Sequence, residues 1–295
     1  MEKLYRLGLY EKSMPGSVTL KEKLRCAREA GFDYLELSVD ETDEKLARLD
    51  WTKEETESLI RDICDTGCPV HSICLSGHRR FPLGHPEKAV RERSMEIMEK
   101  AIRLADRIGV RLIQLAGYDV YYVEGNEMTR LDFLENLRKA CETAAAYGVV
   151  LAFETMETPF MDTVRKAEEI VREIGSPWLQ IYPDLGNLTN ASVLYGTSVV
   201  DDLETGKGRL SAMHLKETVP GIYREVSFGT GHVDFETGIR KALELGVRMF
   251  VGEFWYTGEP HWKEELEFAN RFLREKIARA AQMGSLNKNG KGLIL

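Results

Sequence analysis

The sequence predicts an α/β fold, a closed (β/α)8 TIM barrel. Short apolar runs alternate with helix-length amphipathic segments, a glycine recurs where helix gives way to run, and the runs number eight. Strict alternation of strand and helix implies a parallel sheet with right-handed crossovers. Eight units within 295 residues suit a barrel, whose usual size is about 250 residues. The runner-up, an open doubly wound sheet, is disfavoured because no GxGxxG follows the first run and the units are even.

The first run, LYRLGLY, begins near Leu4. The junctions then read EAGFDYLEL (29–37), DTGCPVHSI (65–73), RIGVRLIQL (107–115), AYGVVLAFE (146–154), EIGSPWLQI (173–181) and ELGVRMFVG (244–252). They place strands near Tyr34, Val70, Arg111, Val149, Leu179 and Arg248, and LSAMHLK supplies another near Leu210. Glycine just past a helix end adopts the left-handed cap that other residues resist. The nearly continuous apolar run after it fits a strand buried on both faces. The intervening segments carry the helical period: Leu20, Leu24 and Ala27 in TLKEKLRCAREA, and similar spacing in RERSMEIMEKAIRLADRI and HWKEELEFANRFLREKI. The sixth crossover, VVDDLETGKG (199–208), is short and weak. One domain is expected over 1–282, and GSLNKNGKGLIL, which breaks the helical period, predicts a C-terminal tail over 283–295.

A net charge of −8 argues against nucleic-acid binding through a general basic surface. No apolar run approaches the ~20 residues of a membrane span, and MEKLYRLGLYEK lacks the layout of a signal peptide. The five cysteines read as reduced, mostly buried thiols of a cytoplasmic protein. Cys64 and Cys68 are four apart, but no second Cys/His pair with zinc-like spacing accompanies them.

Glu154, Asp184, His214 and Glu253 each end, or nearly end, an apolar run: VVLAFE, LQIYPD, LSAMH and RMFVGE. A carboxylate or imidazole at the end of a buried strand is costly unless something pairs with it. Active sites of such barrels lie at the C-terminal ends of the strands. Three carboxylates and one imidazole suit a divalent cation, and the two Glu can also move protons. Near them, Glu157 is suited to bond a hydroxyl or to form a salt bridge within its loop. Asn187 follows Asp184, and Lys216 shares the side of the barrel that His214 faces. Lys216 is suited either to a substrate oxygen or to a buried pair with Glu217 or Asp184. His78, Arg79 and Arg80 follow the third strand at the same barrel face, and Arg is the natural bidentate partner of a phosphate; the alternative is a solvated turn with both arginines at the surface, and the sequence does not choose between Arg79 and Arg80.

The strings ExxExPFM, YPDxGN, HLKxT, FGxGxVDF and GExW occur here in that order, with HSICLSGHRRFPLG (71–84) upstream. In these the chain resembles the L-xylulose-5-phosphate (L-ribulose-5-phosphate) 3-epimerases of the ascorbate-utilisation type, within the xylose-isomerase-like barrel superfamily. The resemblance runs from LGLYEK to the last helix. It implies Glu154, Asp184, His214 and Glu253 as ligands of one divalent metal (Mn, Mg, Co or Zn) and Glu154 and Glu253 as an acid/base pair. It also matches Arg224 loosely to an arginine that holds substrate oxygens. Ketohexose epimerases of this fold carry DxxH after strand six, whereas this chain has Asp184-Leu-Gly-Asn187, which fits the phosphopentulose branch.

The implied reaction interconverts L-xylulose 5-phosphate and L-ribulose 5-phosphate through an enediolate. Inverting C3 takes one carboxylate on each face, since a single base tends to return its proton to the side it came from. The alternatives are a hexulose-6-phosphate or other ketose/aldose-phosphate isomerase, and a non-catalytic sugar-phosphate-binding barrel. The expected partners are a small phosphorylated ketose, no nucleic acid and no membrane. A homodimer is a reasonable assembly for such a barrel, with no interface legible in the sequence.

Overall fold

In the computed structural model, which describes residues 5–286, every strand is short and nearly all of its residues are buried. The strands are β1 (Arg6–Tyr10), β2 (Tyr34–Val39), β3 (Val70–Leu75), β4 (Leu112–Ala116), β5 (Val150–Glu154), β6 (Leu179–Tyr182), β7 (Met213–Leu215) and β8 (Met249–Gly252). All pair in parallel, in the order β6-β5-β4-β3-β2-β1-β8-β7. Among the described residues, ten α-helices connect or follow them: α1 (Leu20–Glu29), α2 (Asp43–Leu46), α3 (Lys53–Thr66), α4 (Lys88–Arg107), α5 (Glu127–Tyr147), α6 (Val164–Ile174), α7 (Leu185–Tyr195), α8 (Val199–Thr205), α9 (Phe235–Glu244) and α10 (Trp262–Leu286). The six expected junction glycines, Gly31, Gly67, Gly109, Gly148, Gly175 and Gly246, all have positive φ.

Side-chain alternation with a period of two sorts the strands into two cores. Leu7, Leu9, Leu35, Leu37, Ile73, Leu115, Phe153, Ile181, Met213 and Phe250 face outward and join the helices in one large cluster. Tyr10, Tyr34, Cys74, Ala152, Tyr182, Ala212 and Val251 form a smaller cluster inside the barrel. One step further along the same inward face, two residues past Tyr34, Ala152, Tyr182, Ala212 and Val251, stand Glu36, Glu154, Asp184, His214 and Glu253. The barrel is therefore apolar below and charged above.

The sheet closes through backbone bridges between Ile181 and Leu210 and between Asp184 and His214. The expected strand at Leu210 is only a bridge; regular β7 begins at Met213. The N–H groups of Ile181 and Ser211 bond across the seam, to Arg209 O at 2.8 Å and Ile181 O at 3.0 Å. The next donor in that ladder would be residue 183, a proline with no N–H. Pairing resumes only where His214 N donates to Pro183 O at 2.9 Å.

The sixth crossover holds two helices rather than one. α7 is built from LGNLTNASVLY, mostly weak helix formers. It forms because Asp184 caps its N-terminus and Leu185, Leu188 and Ala191 are buried. At the far end, α10 runs to Leu286, past the boundary expected at 282; Leu4 and residues 287–295 of the expected tail lie outside the described residues. Cys26, Cys68, Cys74 and Cys141 are buried and Cys64 is exposed, all as free thiols. Among the described residues, no helix is long and apolar enough to cross a membrane.

Just past β1, the fully buried Glu11 carboxylate accepts from Lys23 at 3.1 Å, Lys45 at 2.6 Å, both terminal nitrogens of Arg48, and the N–H of Ser38 at 2.9 Å. It thereby ties β1, α1, β2 and the turn after α2 together. Burial pushes its carboxyl up, but the bonds and charge of Arg48, then Lys23 and Lys45, outweigh burial and hold it well below the usual range. A depressed folded-state value means a stabilising contribution that is present above the unfolded value of ~4.3 and lost as pH falls. Glu11→Gln strands three cations, and breaking a buried pair typically costs about 3–5 kcal/mol. Urea unfolding at neutral pH should show a loss of that order; a loss below ~1 kcal/mol, the value of an exposed pair, would make the cluster incidental.

Candidate active site

Four side chains converge at the C-terminal mouth of the barrel. Glu154 is the last residue of β5, Asp184 is the N-cap of α7, His214 is central in β7, and Glu253 follows β8. All are buried, and one donor atom from each lies within 4.8 Å of the others.

The surroundings assign a job to each atom. Asp184 Oδ1 accepts from Asn187 N at 2.6 Å as the helix cap, while Asp184 Oδ2 is buried with no hydrogen-bond partner. Glu253 Oε2 is likewise without one. The Lys216 ammonium lies 3.2 Å from both of these oxygens. Gln114 donates to Glu154 Oε2, leaving Oε1 directed at His214 Nδ1, 3.3 Å away. Nδ1 also lies 3.5 Å from Glu253 Oε2 and 3.9 Å from Asp184 Oδ2. The other ring nitrogen, Nε2, bonds Glu36 Oε1 at 2.6 Å.

This electrostatics separates the two glutamates. Burial pushes Glu253 up, but Lys216 and then His214 outweigh it and hold the carboxyl well below its usual range. Burial, and after it the charge of Glu253, pushes Glu154 upward. Burial also lifts Asp184, against the pull of Lys216. For Lys216, burial is outweighed by Asp184 and Glu253, which keep the ammonium charged.

The donor set fits a metal ion. Ligand atoms each ~2.1 Å from one ion lie at most ~4.2 Å apart, so the observed spread closes with shifts of a few tenths of an ångström. Two buried carboxylate oxygens without hydrogen bonds, facing an imidazole nitrogen, are what such a site leaves behind when only the protein is considered. Hard oxygen and imidazole donors suit divalent first-row ions and Mg.

The cleft above the four residues is lined by Tyr10, Lys12, Ser76, Arg79, Glu157, Asn187, Lys216, Arg224 and Trp255, among others. Asn187 donates its amide to Thr155 O at 2.7 Å and keeps a buried, unpartnered Oδ1. Glu157 accepts from Tyr121 at 2.9 Å and Arg224 at 3.1 Å. The Lys216 ammonium and the Arg224 guanidinium lie 5.8 and 5.6 Å from the Trp255 ring centre, so both cations approach that ring. Glu217, next to Lys216, faces the other way and accepts from the N–H groups of Gly229 and Val233. Gly231 in that loop has a packing reason, since a Cβ there would sit 2.1 Å from Thr218 O.

The expected phosphate-facing trio divides. Arg79 reaches the cleft, stacked 5.0 Å from the Tyr121 ring centre, with its buried Nε unpartnered and only a 3.6 Å approach to Glu41. His78 turns away: it is buried, bonds Ser94 O at 3.2 Å, and burial lowers it to about 4, so it is neutral at neutral pH. Arg80 projects outward to Asp43 at 2.8 Å. The cause is the tight turn over Gly77–Arg79, which points successive side chains in different directions. Lys12, paired with Asp40, is a lining cation that sequence reasoning missed. Glu36 and Gln114 were missed as well; their signal was a polar residue in the middle of a buried run.

Residues 24–284 match the family described as xylose isomerase-like TIM barrel, and the chain belongs to that family. It is 41% identical over 284 residues to the L-ribulose-5-phosphate 3-epimerase UlaE of Shigella boydii serotype 18, covering 96% of this chain and 99% of the relative. The Salmonella paratyphi A protein of the same name is 40% identical over the same shares. The family resemblance read from the motifs is thus met along nearly the whole chain, and these relatives are epimerases. Solved structures share the fold at lower identity. One described as L-ribulose 3-epimerase superposes with a TM-score of 0.77 at 19% identity, covering 97% of this chain and 99% of that one. A D-tagatose 3-epimerase-like protein gives 0.78 at 15%, covering 94% and 99%.

Proposed function

We propose that this enzyme interconverts L-ribulose 5-phosphate and L-xylulose 5-phosphate by inverting C3, with Glu154 and Glu253 as its proton-transfer pair. The observation that carries the reading is the placement of these two buried carboxylates. They come from strands three apart around the barrel, meet at one donor cluster, and sit within a chain 41% identical to a named epimerase of that substrate.

The C3 proton of a ketose is weakly acidic, so its removal needs a positioned base and a stabilised enediolate. Glu253, kept ionised beside Lys216, is suited to take the proton in one direction; Glu154, pushed upward by burial and by Glu253, is suited to return one to the other face. A divalent ion held by Glu154, Asp184, His214 Nδ1 and Glu253 would supply Lewis-acid stabilisation of the charge that develops on the sugar oxygens. Mn, Mg, Co and Zn all suit that donor set. The unpartnered Asn187 Oδ1 accepts from a sugar hydroxyl, and the Glu157–Arg224 pair lines the rim. Arg79, with Lys12 on the same cleft, takes the phosphate; His78 and Arg80 do not.

The test is reaction in D₂O followed by NMR. Deuterium should enter C3 of the product, because a carboxyl proton exchanges with solvent. Glu154→Gln and Glu253→Gln should each slow epimerisation by at least the ~10²-fold expected for lost acid/base catalysis. Hydrogen carried from substrate to product without label, or label at C1 or C2 with an aldose formed, would replace this reading with an isomerase; no turnover of either sugar would leave a binding protein.

The two arginines separate in kinetics. Arg79→Ala should raise KM by the equivalent of ~1.5–3 kcal/mol, the value of a charge-assisted bond, with little change in kcat, because the phosphate lies away from the reacting carbon. Arg80→Ala should leave KM as it was. Equal effects in the two variants, or none in either, would move the phosphate elsewhere.

A further inference from the structure

His214 can offer a cation a lone pair from Nδ1 only if the proton of a neutral ring sits on Nε2. Within the cluster Nδ1 faces carboxylate oxygens at 3.3, 3.5 and 3.9 Å; on the far side of the ring one carboxylate comes closer. Glu36, in the middle of β2, has no solvent exposure. Its Oε1 lies 2.6 Å from His214 Nε2. Its Oε2 is occupied separately, accepting from Ser72 Oγ at 2.6 Å and from Tyr182 Oη at 3.0 Å. Two hydroxyl donors on Oε2 hold the carboxylate plane, so Oε1 is presented to the imidazole alone. The Tyr182 ring also packs edge-on against the imidazole, with centroids 4.8 Å apart. One tyrosine thus fixes the histidine ring and the carboxylate that orients it. The acceptor, its two donors and the ring all come from inward positions of β2, β3, β6 and β7, where the barrel permits almost no rearrangement.

We infer that Glu36 is a positioning residue: it holds the proton of His214 on Nε2 and turns the Nδ1 lone pair into the Glu154–Asp184–Glu253 cluster. The carboxylate also makes the ring a stronger donor, as partners of ligating histidines do. The inference rests on the reading of that cluster as a metal site, and the experiment separates the two.

Zn²⁺ is titrated into the metal-stripped full chain against a chromophoric chelator, for the wild type, Glu36→Gln and Glu36→Leu. Long-range ¹H–¹⁵N spectra of histidine-labelled, zinc-loaded protein report which ring nitrogen carries the proton. The wild type should bind one ion, with His214 protonated on Nε2. Leu, which removes the acceptor, should weaken Zn²⁺ binding by roughly 10–100-fold. Gln retains a neutral carbonyl acceptor and should fall between the two. If Leu does not fold in that barrel, the Gln variant and the wild-type spectrum decide. Zinc affinity unchanged in both Glu36→Gln and Glu36→Leu would overturn the role of Glu36 and leave the metal site standing; a His214 proton on Nδ1 in the zinc-loaded wild type would remove His214 from the ligands and overturn the inference as well. A wild type that takes up no zinc would overturn both. Equal loss of thermal stability in the variants with unchanged zinc affinity and unchanged tautomer would make Glu36 a packing residue only, which also overturns the inference.

Discussion

Four carboxylates buried around one histidine are the constraint on which the rest depends. Glu36, Glu154, Asp184 and Glu253 are all nearly inaccessible to solvent. The effective penalty for burying one ion is several kcal/mol, so the mouth of the barrel must supply positive charge or lose its shape. Lys216 answers part of that demand, placed 3.2 Å from two of the oxygens. His214 adds a donor, its Nε2 lying 2.6 Å from Glu36 Oε1. The two carboxylate oxygens left without hydrogen bonds mark what remains. A divalent cation is the completion proposed for this arrangement; in the protein alone, Lys216 and then His214 hold Glu253 down, while burial and the charge of Glu253 push Glu154 up.

The barrel delivers these groups through the simplest rule of a strand. Alternation brings Ala152 and then Glu154 inward on β5, Ala212, His214 and Lys216 on and flanking β7, and Val251 and then Glu253 on and just past β8. The apolar tier beneath keeps water from the polar tier and fixes its depth. The seam between β6 and β7 matters most. Its ladder is interrupted at Pro183, and it closes again at Asp184 and His214 themselves. Two candidate ligands are therefore fixed by backbone pairing, and Asp184 additionally by its cap on α7.

The strand ends were legible because burying a charge there has few innocent explanations, and the glycine junctions because positive φ has a strong residue preference. Glu36 and Gln114 were as available as Glu154, since each interrupts an apolar run, but a polar residue within a strand says nothing about which neighbour it faces until the register is known. The helix α7 was hidden by its own weak propensity, its existence resting on one cap and on burial. Sequence also could not divide His78, Arg79 and Arg80: three adjacent basic residues in a tight turn point three ways, and only the packing of α4, the Tyr121 ring and Asp43 decides which. Lys12 lies two residues past the end of β1, where no strand-end pattern marks a side chain as facing the cleft.

If one ion completes the charged tier, anomalous diffraction from a zinc-loaded crystal will show a single strong peak among Glu154, Asp184, His214 Nδ1 and Glu253, at roughly 2.0–2.2 Å from each ligand atom, with Nε2 of His214 still on Glu36. A peak bound to other residues, or a zinc-saturated crystal with no density inside that cluster, would contradict it.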